Sequence, residues 1–506
     1  MRVTDGERLA DERGGATGRR ERPGGRPAVD RELVEIAAFV AARPEAGPAA
    51  RERARWCFLE AMAGAILAIR RPACAKQLGG PPPRASAGGR GARVIGTPHL
   101  VELEKAAHDT SLLVRWLDVD DGWLTVERGH PADGIGAILP AADFASRARR
   151  AAGRPGVTMG DVLAAMIDAH EIQRALGEHE FDRTEVHHLV LTRIAATAVS
   201  ARLLGASARQ VLEAVATAWS DGQGTFAMRP ELDAAVRMAQ AAGDAASRAT
   251  RAILRALRGE WVPQAVRTTS RWGLYDVLCQ NGKFRLPRDP APRAIEDVVL
   301  KLGVCAEYQA LTAVECAVAL GPEVRPRVEA VARVEVATHE PAIRLLSHGG
   351  RLRGPTERRR SLEYVVAAAL LGGAPTPESF EDALAADPRL DVLRARVVLT
   401  EDARLTGRYF DPVRRGLGCA MQVCFDDGAS TARIALDDPA GHRSRRDEAA
   451  SVLERVVREA LGRAYAPEVA EEIWARCADA ARFEATPVDA FLDLLAAPRD
   501  GRAGAR

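Results

Sequence analysis

Lysine is nearly absent from this chain. Of 71 basic residues, four are lysines (Lys76, Lys105, Lys283 and Lys301), and arginine supplies the other 67. Genomic base composition accounts for such a bias, so a retained lysine is worth following. Net charge is also lacking: the basic residues face 69 acidic ones, leaving +2 over 506 residues. That balance excludes an acidic tail protein and a strongly basic nucleic-acid binder. No run approaches the roughly 18 uninterrupted apolar residues of a membrane helix; the apolar stretch from Cys57 to Ile69 is short and carries Glu60. The N-terminus has no apolar core of a secretory signal. Eight scattered cysteines without a Cys-x-x-Cys pair predict reduced thiols of a cytoplasmic protein, not a disulfide framework. His170-Glu171 starts a zinc-protease string, but Arg174 occupies the second ligand position. Gly88, Gly89 and Gly91 lead into Val94-Ile95 and not into a helix, so they make a poor dinucleotide fingerprint.

What is present is a change of pattern along the chain. Residues 1–29 hold seven Arg, six Gly and two Pro, the composition of a disordered extension. Residues 30–270 read as a helical domain rich in alanine, with breaks at Pro81-Pro82-Pro83 and from Gly153 to Gly156. Val162, Leu163, Met166, Ala169 and Ile172 form one apolar stripe, and Ile194, Ala195, Val199, Ala201 and Leu203-Leu204 most of another. Residues 271–405 read as an α+β domain. Val334, Val336 and Thr338 alternate with more polar neighbours, Val397 to Leu399 is a second short strand, and helices are expected at 315–320 and 362–371. In residues 406–495 a hairpin is expected around Asp427-Gly428, followed by helices that return to the helical domain. Residues 496–506 read as a flexible tail. The fold class expected is mainly α: a large all-helical domain built from both chain ends, with a smaller inserted α+β domain.

Polar residues gather at three places in this apolar background. Asp118, Asp120 and Asp121 precede Gly129-His130-Pro131 and Asp133. A helical turn would bring Asp118 and Asp121 together, while Pro131 keeps His130 out of a helix; carboxylates beside a loop histidine suit acid/base chemistry. His187-His188 stand at a helix start, where the dipole disfavours an imidazolium. Lys301, read as the head of an apolar helix, precedes Glu307, Tyr308 and Gln309 and could bind an anion. Solvated charge, caps and an ordinary surface pair are the plainer readings of each.

Arg115-Trp116-Leu117-Asp118, then Asp121 and Gly129-His130-Pro131-Ala132-Asp133, resemble the signature segment of the MmgE/PrpD family, and within it the 2-methylcitrate dehydratase branch. Ala169 to Gln173, Trp219 with Asp221-Gly222-Gln223, Ala241 to Ala245, Trp272-Gly273, Lys301, Thr312 to Ala317, Thr338-His339-Glu340 and Gly441-His442 continue the resemblance in consistent order. It implies two domains with the active site between them, commonly in a homodimer. It implies a lyase that removes water from 2-methylcitrate in propionate catabolism, without an iron–sulfur cluster or other cofactor. It implies Asp118, His130 and His188 as the acid/base candidates. Lys301, Asp121, His187 and Gln309 become the substrate-binding candidates, with no metal, no nucleic acid and no membrane as partner.

The sequence also departs from that pattern. Gly122 stands where the family has Thr, Gly224 to Arg229 where it has a Tyr-Arg-His segment, Met238 where it has Lys, Val304-Cys305 where it has Phe-Pro, and Gln309 where it has His. Arg229 or Arg237 is a candidate to replace the charge missing at Met238. A divergent family enzyme, isomerising or decarboxylating another carboxylic acid, and a non-catalytic family member therefore stand beside the dehydratase.

Overall fold

The computed structural model describes residues 28–79, 91–123, 129–179, 187–222, 234–277, 293–347 and 350–496. The sequence-based readings of residues 1–27, the triple proline, Gly88 and Gly89, Gly224 to Arg229, Cys279, Lys283 and the last ten residues lie outside them.

The apolar run at Cys57–Ile69 is the second half of a central helix, Pro48–Ile69, opened by a proline at its first position where no N–H is needed. It is buried on nearly every side because helices surround it: Leu103–Trp116, Met159–His179 and Arg446–Ala464 all pack on it. The last of these comes from the far end of the chain. Phe58 of the central helix meets Phe483 and Phe491, with ring centroids 5.7 and 6.0 Å apart. N- and C-terminal helices thus share one apolar core. Alanines at 107, 137, 196, 246 and 249 form a separate buried cluster where four helices cross; small side chains let those backbones approach closely. Both predicted stripes are buried except at Leu204, which is half-buried.

The strands are β1 (Ala92–Arg93), β2 (Leu100–Val101), β3 (Gly122–Trp123), β4 (Val298–Val299), β5 (Val331–Thr338), β6 (Val397–Glu401), β7 (Cys419–Phe425) and β8 (Ile434–Leu436). One sheet has the order β6-β5-β7-β8. β5 runs parallel to β6 and antiparallel to β7, and the helices between β5 and β6 supply the crossover that a parallel pair requires. A register shift between Val331 and Arg333 resets the alternation, so Val331, Val334, Val336 and Thr338 all face inward. The hairpin around Asp427-Gly428 adds β7 and β8 to this sheet. The helices after it pack on the N-terminal ones.

Two short ladders interrupt the helical part, which is therefore not helical throughout. β1 pairs with β2, and β3 pairs with β4, Gly122 opposite Val299 and Trp123 opposite Val298. The second ladder ties the residues that follow Asp121 to the chain just before Lys301, more than 170 positions away in sequence. The seven described cysteines are free, and all but Cys424 are buried. No described helix is long and apolar enough to cross a membrane.

Candidate active site

Helix Leu103–Trp116 stops just before the first acidic residue. Leu117 is still right-handed, but Asp118 has φ +54°, a left-handed conformation that Asp tolerates better than most residues. The helical turn expected to join Asp118 to Asp121 does not form: the chain has already left the helix. Asp118 turns one way, and Asp121 turns inward, where its Oδ1 accepts from the Ala132 N–H at 3.1 Å and its Oδ2 lies 4.0 Å from His170 Nε2.

Lys301 meets the end of that helix. Its Nζ donates to the Asp118 carbonyl and to Asp118 Oδ1, both at 2.9 Å. An ammonium at a helix C-terminus also complements the backbone dipole. Lys301 is not the head of a helix, as the sequence reading had it. It follows β4 and precedes a left-handed pair, Leu302 and Gly303, while the next long helix begins at Leu311. Tertiary contacts hold it instead. The Leu302 N–H donates to Glu60 Oε1 at 2.6 Å, and the Leu300 N–H to the Gly441 carbonyl at 3.2 Å, which also accepts from Arg53. The central helix therefore clamps both sides of Lys301. Burial raises the Glu60 carboxyl well above the usual range, and the Leu302 N–H pulls it down without prevailing. A Cβ on Gly441 would lie 1.8 Å from the Leu300 carbonyl oxygen. Gly441→Ala is accordingly expected to displace the Lys301 segment, costing about 1–3 kcal/mol of stability together with most of the activity. Thermal unfolding and kcat measured side by side check this.

Around the Lys301–Asp118 pair, Arg115 reaches Asp118 at 3.4 Å and both oxygens of Asp120 at 3.3 Å. Arg359, from the helix Pro355–Arg359, comes to 3.9 Å from Asp118 Oδ2. For Asp118, burial works toward a higher pKa, but Lys301 and then Arg115 overcome it and hold the carboxyl far below its usual value. Asp120 and Asp133 go the other way: burial pushes each up to about 7 against the opposing pull of Arg115.

His130 sits over this group in extended backbone before the turn Pro131–Gly134. Its Nδ1 lies 2.6 Å from the Asp121 carbonyl oxygen and 3.8 Å from Asp120 Oδ2. A carbonyl can only accept, so Nδ1 carries the proton and Nε2 presents a lone pair. Burial, then Arg115 and Lys301, lower the His130 pKa well below 6.5, which keeps the ring neutral. His188 caps the helix Leu189–Leu203, its ring 5.7 Å from His130 and its Nε2 3.9 Å from Asp133 Oδ2. His187 lies behind it, its ring tilted with the centroids 4.3 Å apart, and its Nδ1 accepts the Leu189 N–H.

The structure thus brings together Asp118, Lys301, His130 and His188, with Asp121 beneath and His187 one ring further out. Gln309 joins only through its neighbour Tyr308; its Oε1 is buried without a hydrogen bond. Sequence reasoning grouped Asp120 and Asp133 with the acidic segment without singling them out as site residues, and it quoted Arg115 only as part of the family resemblance. It had no signal for Glu60 or Arg359. Arg237, one candidate to replace a lysine at 238, is exposed. Met238 is on the face of its helix that carries Ala242 and Ala245, and these two pack against Leu189 beside His188.

The substitution at Gly122 has a partner in the structure. A Cβ there would lie 2.5 Å from Tyr308 Cδ1, so the Tyr308 ring occupies the space a side chain would need. Gly122→Thr is expected to destabilise the fold by about 1–3 kcal/mol, and Tyr308→Ala in the same chain to recover most of that loss. Unfolding midpoints of the single and double variants decide it.

Asp118, Asp120 and His130 offer donor atoms within 4.8 Å of one another. Lys301 and Arg115 already touch the same two carboxylates, so the donor set does not suit a cation. It suits an anion near a neutral base, with two raised carboxyls as proton donors.

The MmgE/PrpD N-terminal domain model matches residues 34–287, and the MmgE/PrpD C-terminal domain model residues 304–480. The chain is 39% identical over 476 residues to 2-methylcitrate dehydratase of Cupriavidus necator, covering 93% of this chain and 98% of that one. It is 36% identical over 473 residues to 2-methylcitrate dehydratase of Escherichia coli K12, with the same coverage. It is 34% identical to the mitochondrial 2-methylcitrate dehydratase of Yarrowia lipolytica, covering 93% of this chain and 91% of that one. On these matches and on a mainly helical fold with a small sheet, this chain belongs to the MmgE/PrpD family.

Proposed function

We propose that this protein is a 2-methylcitrate dehydratase-like hydro-lyase that uses its own side chains as acid and base. The observation that carries the reading is the fixed tautomer of His130: with Nδ1–H held by the Asp121 carbonyl, Nε2 is free to take a proton, and the ring is neutral. The substrate proton lies on carbon beside a carboxylate. As His130 Nε2 removes it, negative charge moves onto that carboxylate, where Lys301 and Arg115 stabilise it. The departing hydroxyl takes a proton from the His188–Asp133 pair, in which burial keeps the Asp133 carboxyl protonated up to about pH 7. Asp118 stays ionised and fixes Lys301. Asp121 sets the His130 ring, and His187 and Gln309 border the substrate.

The reading extends to organisation. Residues 30–270 with the C-terminal helices form one unit, and residues 271–405 with the following hairpin form the other. The site lies where Asp118 and His130 of the first meet Lys301 and Arg359 of the second. We also propose a homodimer in the cytoplasm. The unpaired thiols of the seven described cysteines fit a reducing compartment, and the exposed Trp261, Trp272 and Val277 supply apolar surface for a subunit contact. The test is incubation of the purified chain with 2-methylcitrate, followed by ultraviolet absorbance. Absorbance from a conjugated unsaturated acid is expected to rise; a flat trace with 2-methylcitrate, at any pH from 6 to 9, contradicts the assignment.

A further inference from the structure

We infer that Arg359 is a specificity-determining residue that binds one carboxylate of the substrate, an inference that rests on the hydro-lyase reading above. Three cations surround Asp118, and two already hold protein carboxylates while keeping further N–H groups for a ligand. Lys301 spends two hydrogen bonds on Asp118, and Arg115 directs its guanidinium to both oxygens of Asp120. Arg359 differs. Its side chain is only 11% exposed, and its one ion-pair contact among the described residues is with Asp118 at 3.9 Å, beyond hydrogen-bond distance. Its Nε is buried without any partner. The Phe380 ring lies 5.7 Å from its Cζ and holds the guanidinium plane without satisfying a donor. The next residue, Arg360, has Glu307 at 3.5 Å.

A buried guanidinium with unused N–H groups is costly unless a partner arrives. The partner that fits is a second carboxylate, because a guanidinium fork matches a carboxylate in two parallel hydrogen bonds. Asp118 is not that partner where it stands, since its Oδ2 lies 3.9 Å from the guanidinium, beyond hydrogen-bond distance, and its Oδ1 is held by Lys301. A substrate carboxylate entering beside Asp118 would meet Arg359 on one side and Lys301 on the other. The hydro-lyase reading puts the reacting end of the substrate at Lys301 and Arg115, so a dicarboxylate is held there and only a further carboxylate reaches Arg359. The arginine therefore selects for carboxylate number.

The experiment is calorimetric binding of tricarballylate (three carboxylates, no hydroxyl) and glutarate (two) to the full chain and to its Arg359→Gln and Arg359→Lys variants, with unfolding curves as a fold check. Arg359→Gln is expected to weaken tricarballylate by about 10- to 150-fold, the equivalent of about 1.5–3 kcal/mol for hydrogen bonds to a charged group. Glutarate affinity should change less than about twofold, and Arg359→Lys should recover part of the tricarballylate loss. If Arg359 serves only to neutralise Asp118, both ligands weaken equally, and the inference falls. It also falls if tricarballylate is unaffected, or if the unsubstituted chain binds neither ligand. If the chain binds tricarballylate through Arg359 yet leaves 2-methylcitrate unchanged, the selectivity stands and the dehydratase reading fails.

Discussion

Replacing Lys301 with methionine is expected to lower kcat/KM at least about 1000-fold and to destabilise the fold by about 3–5 kcal/mol. No other single side-chain change at the site should cost as much stability. Lys301 is 1% exposed, and its ammonium answers both the Asp118 carboxylate and the carbonyl that ends helix Leu103–Trp116. Methionine is of similar length, so little cavity results; what remains is a buried carboxylate that has lost its nearest cation. The sign of the pH dependence follows from Asp118. Its carboxyl is held below the ordinary value of 3.8, so ionisation favours the folded state. That stabilisation is present above the unfolded pKa and is lost as pH falls through the folded one. The stability gap between the parent chain and Lys301→Met is therefore widest at neutral pH and closes in acid. Asp118→Asn combined with Lys301→Met should be more stable than Lys301→Met alone, because the orphaned charge is gone. Chemical unfolding of the three chains at neutral and acidic pH, with kcat/KM for each, measures both effects.

The second large effect is expected at His130. His130→Asn keeps a polar side chain of similar size but supplies no base, and kcat should fall by about 100- to 10,000-fold with stability changed by less than about 1 kcal/mol. In the parent enzyme the two halves of the pH profile have separate origins. The acid limb, set by His130, should lie well below pH 6.5, because burial and the Arg115 and Lys301 charges depress it. The alkaline limb should appear near pH 7, where Asp133 loses the proton that burial retains. The optimum is thus a plateau on the acid side of neutral, bounded above near pH 7 and extending down toward the depressed His130 value. Asp133→Asn should slow turnover and flatten the alkaline limb. A profile of kcat/KM from pH 5 to 9 for both chains reads this directly.

Much of this arrangement was legible in the sequence, and what was not has a physical reason. Helices and strands came through because apolar spacing reports burial directly: the stripe from Val162 to Ile172 is buried, and β5 alternates as Val334, Val336 and Thr338 required. The segment from Asp118 to Asp133 stood out because so many carboxylates in an apolar background need a use. The helical turn expected between Asp118 and Asp121 failed because the helix ends at a left-handed Asp118 stabilised by Lys301, a contact across 183 positions. Lys301 looked like a helix head because Leu311–Val324 follows; the intervening segment is shaped by Glu60 and Gly441, which lie at opposite ends of the chain. Arg359 could not be singled out among 67 arginines. Only the packing of its short helix against Phe380 brings it to Asp118. The meaning of Gly122 likewise needed Tyr308, whose ring fills the space above it.

The most direct test sets the parent chain and His130→Asn side by side with 2-methylcitrate and follows proton nuclear magnetic resonance over one time course. The parent chain is expected to convert the substrate methylene and methyl signals to those of the unsaturated acid. The folded variant should leave them essentially unchanged over the same interval. A parent chain that leaves the substrate intact, or a variant that converts it as fast as the parent, would contradict the assignment of His130 as the base of a hydro-lyase.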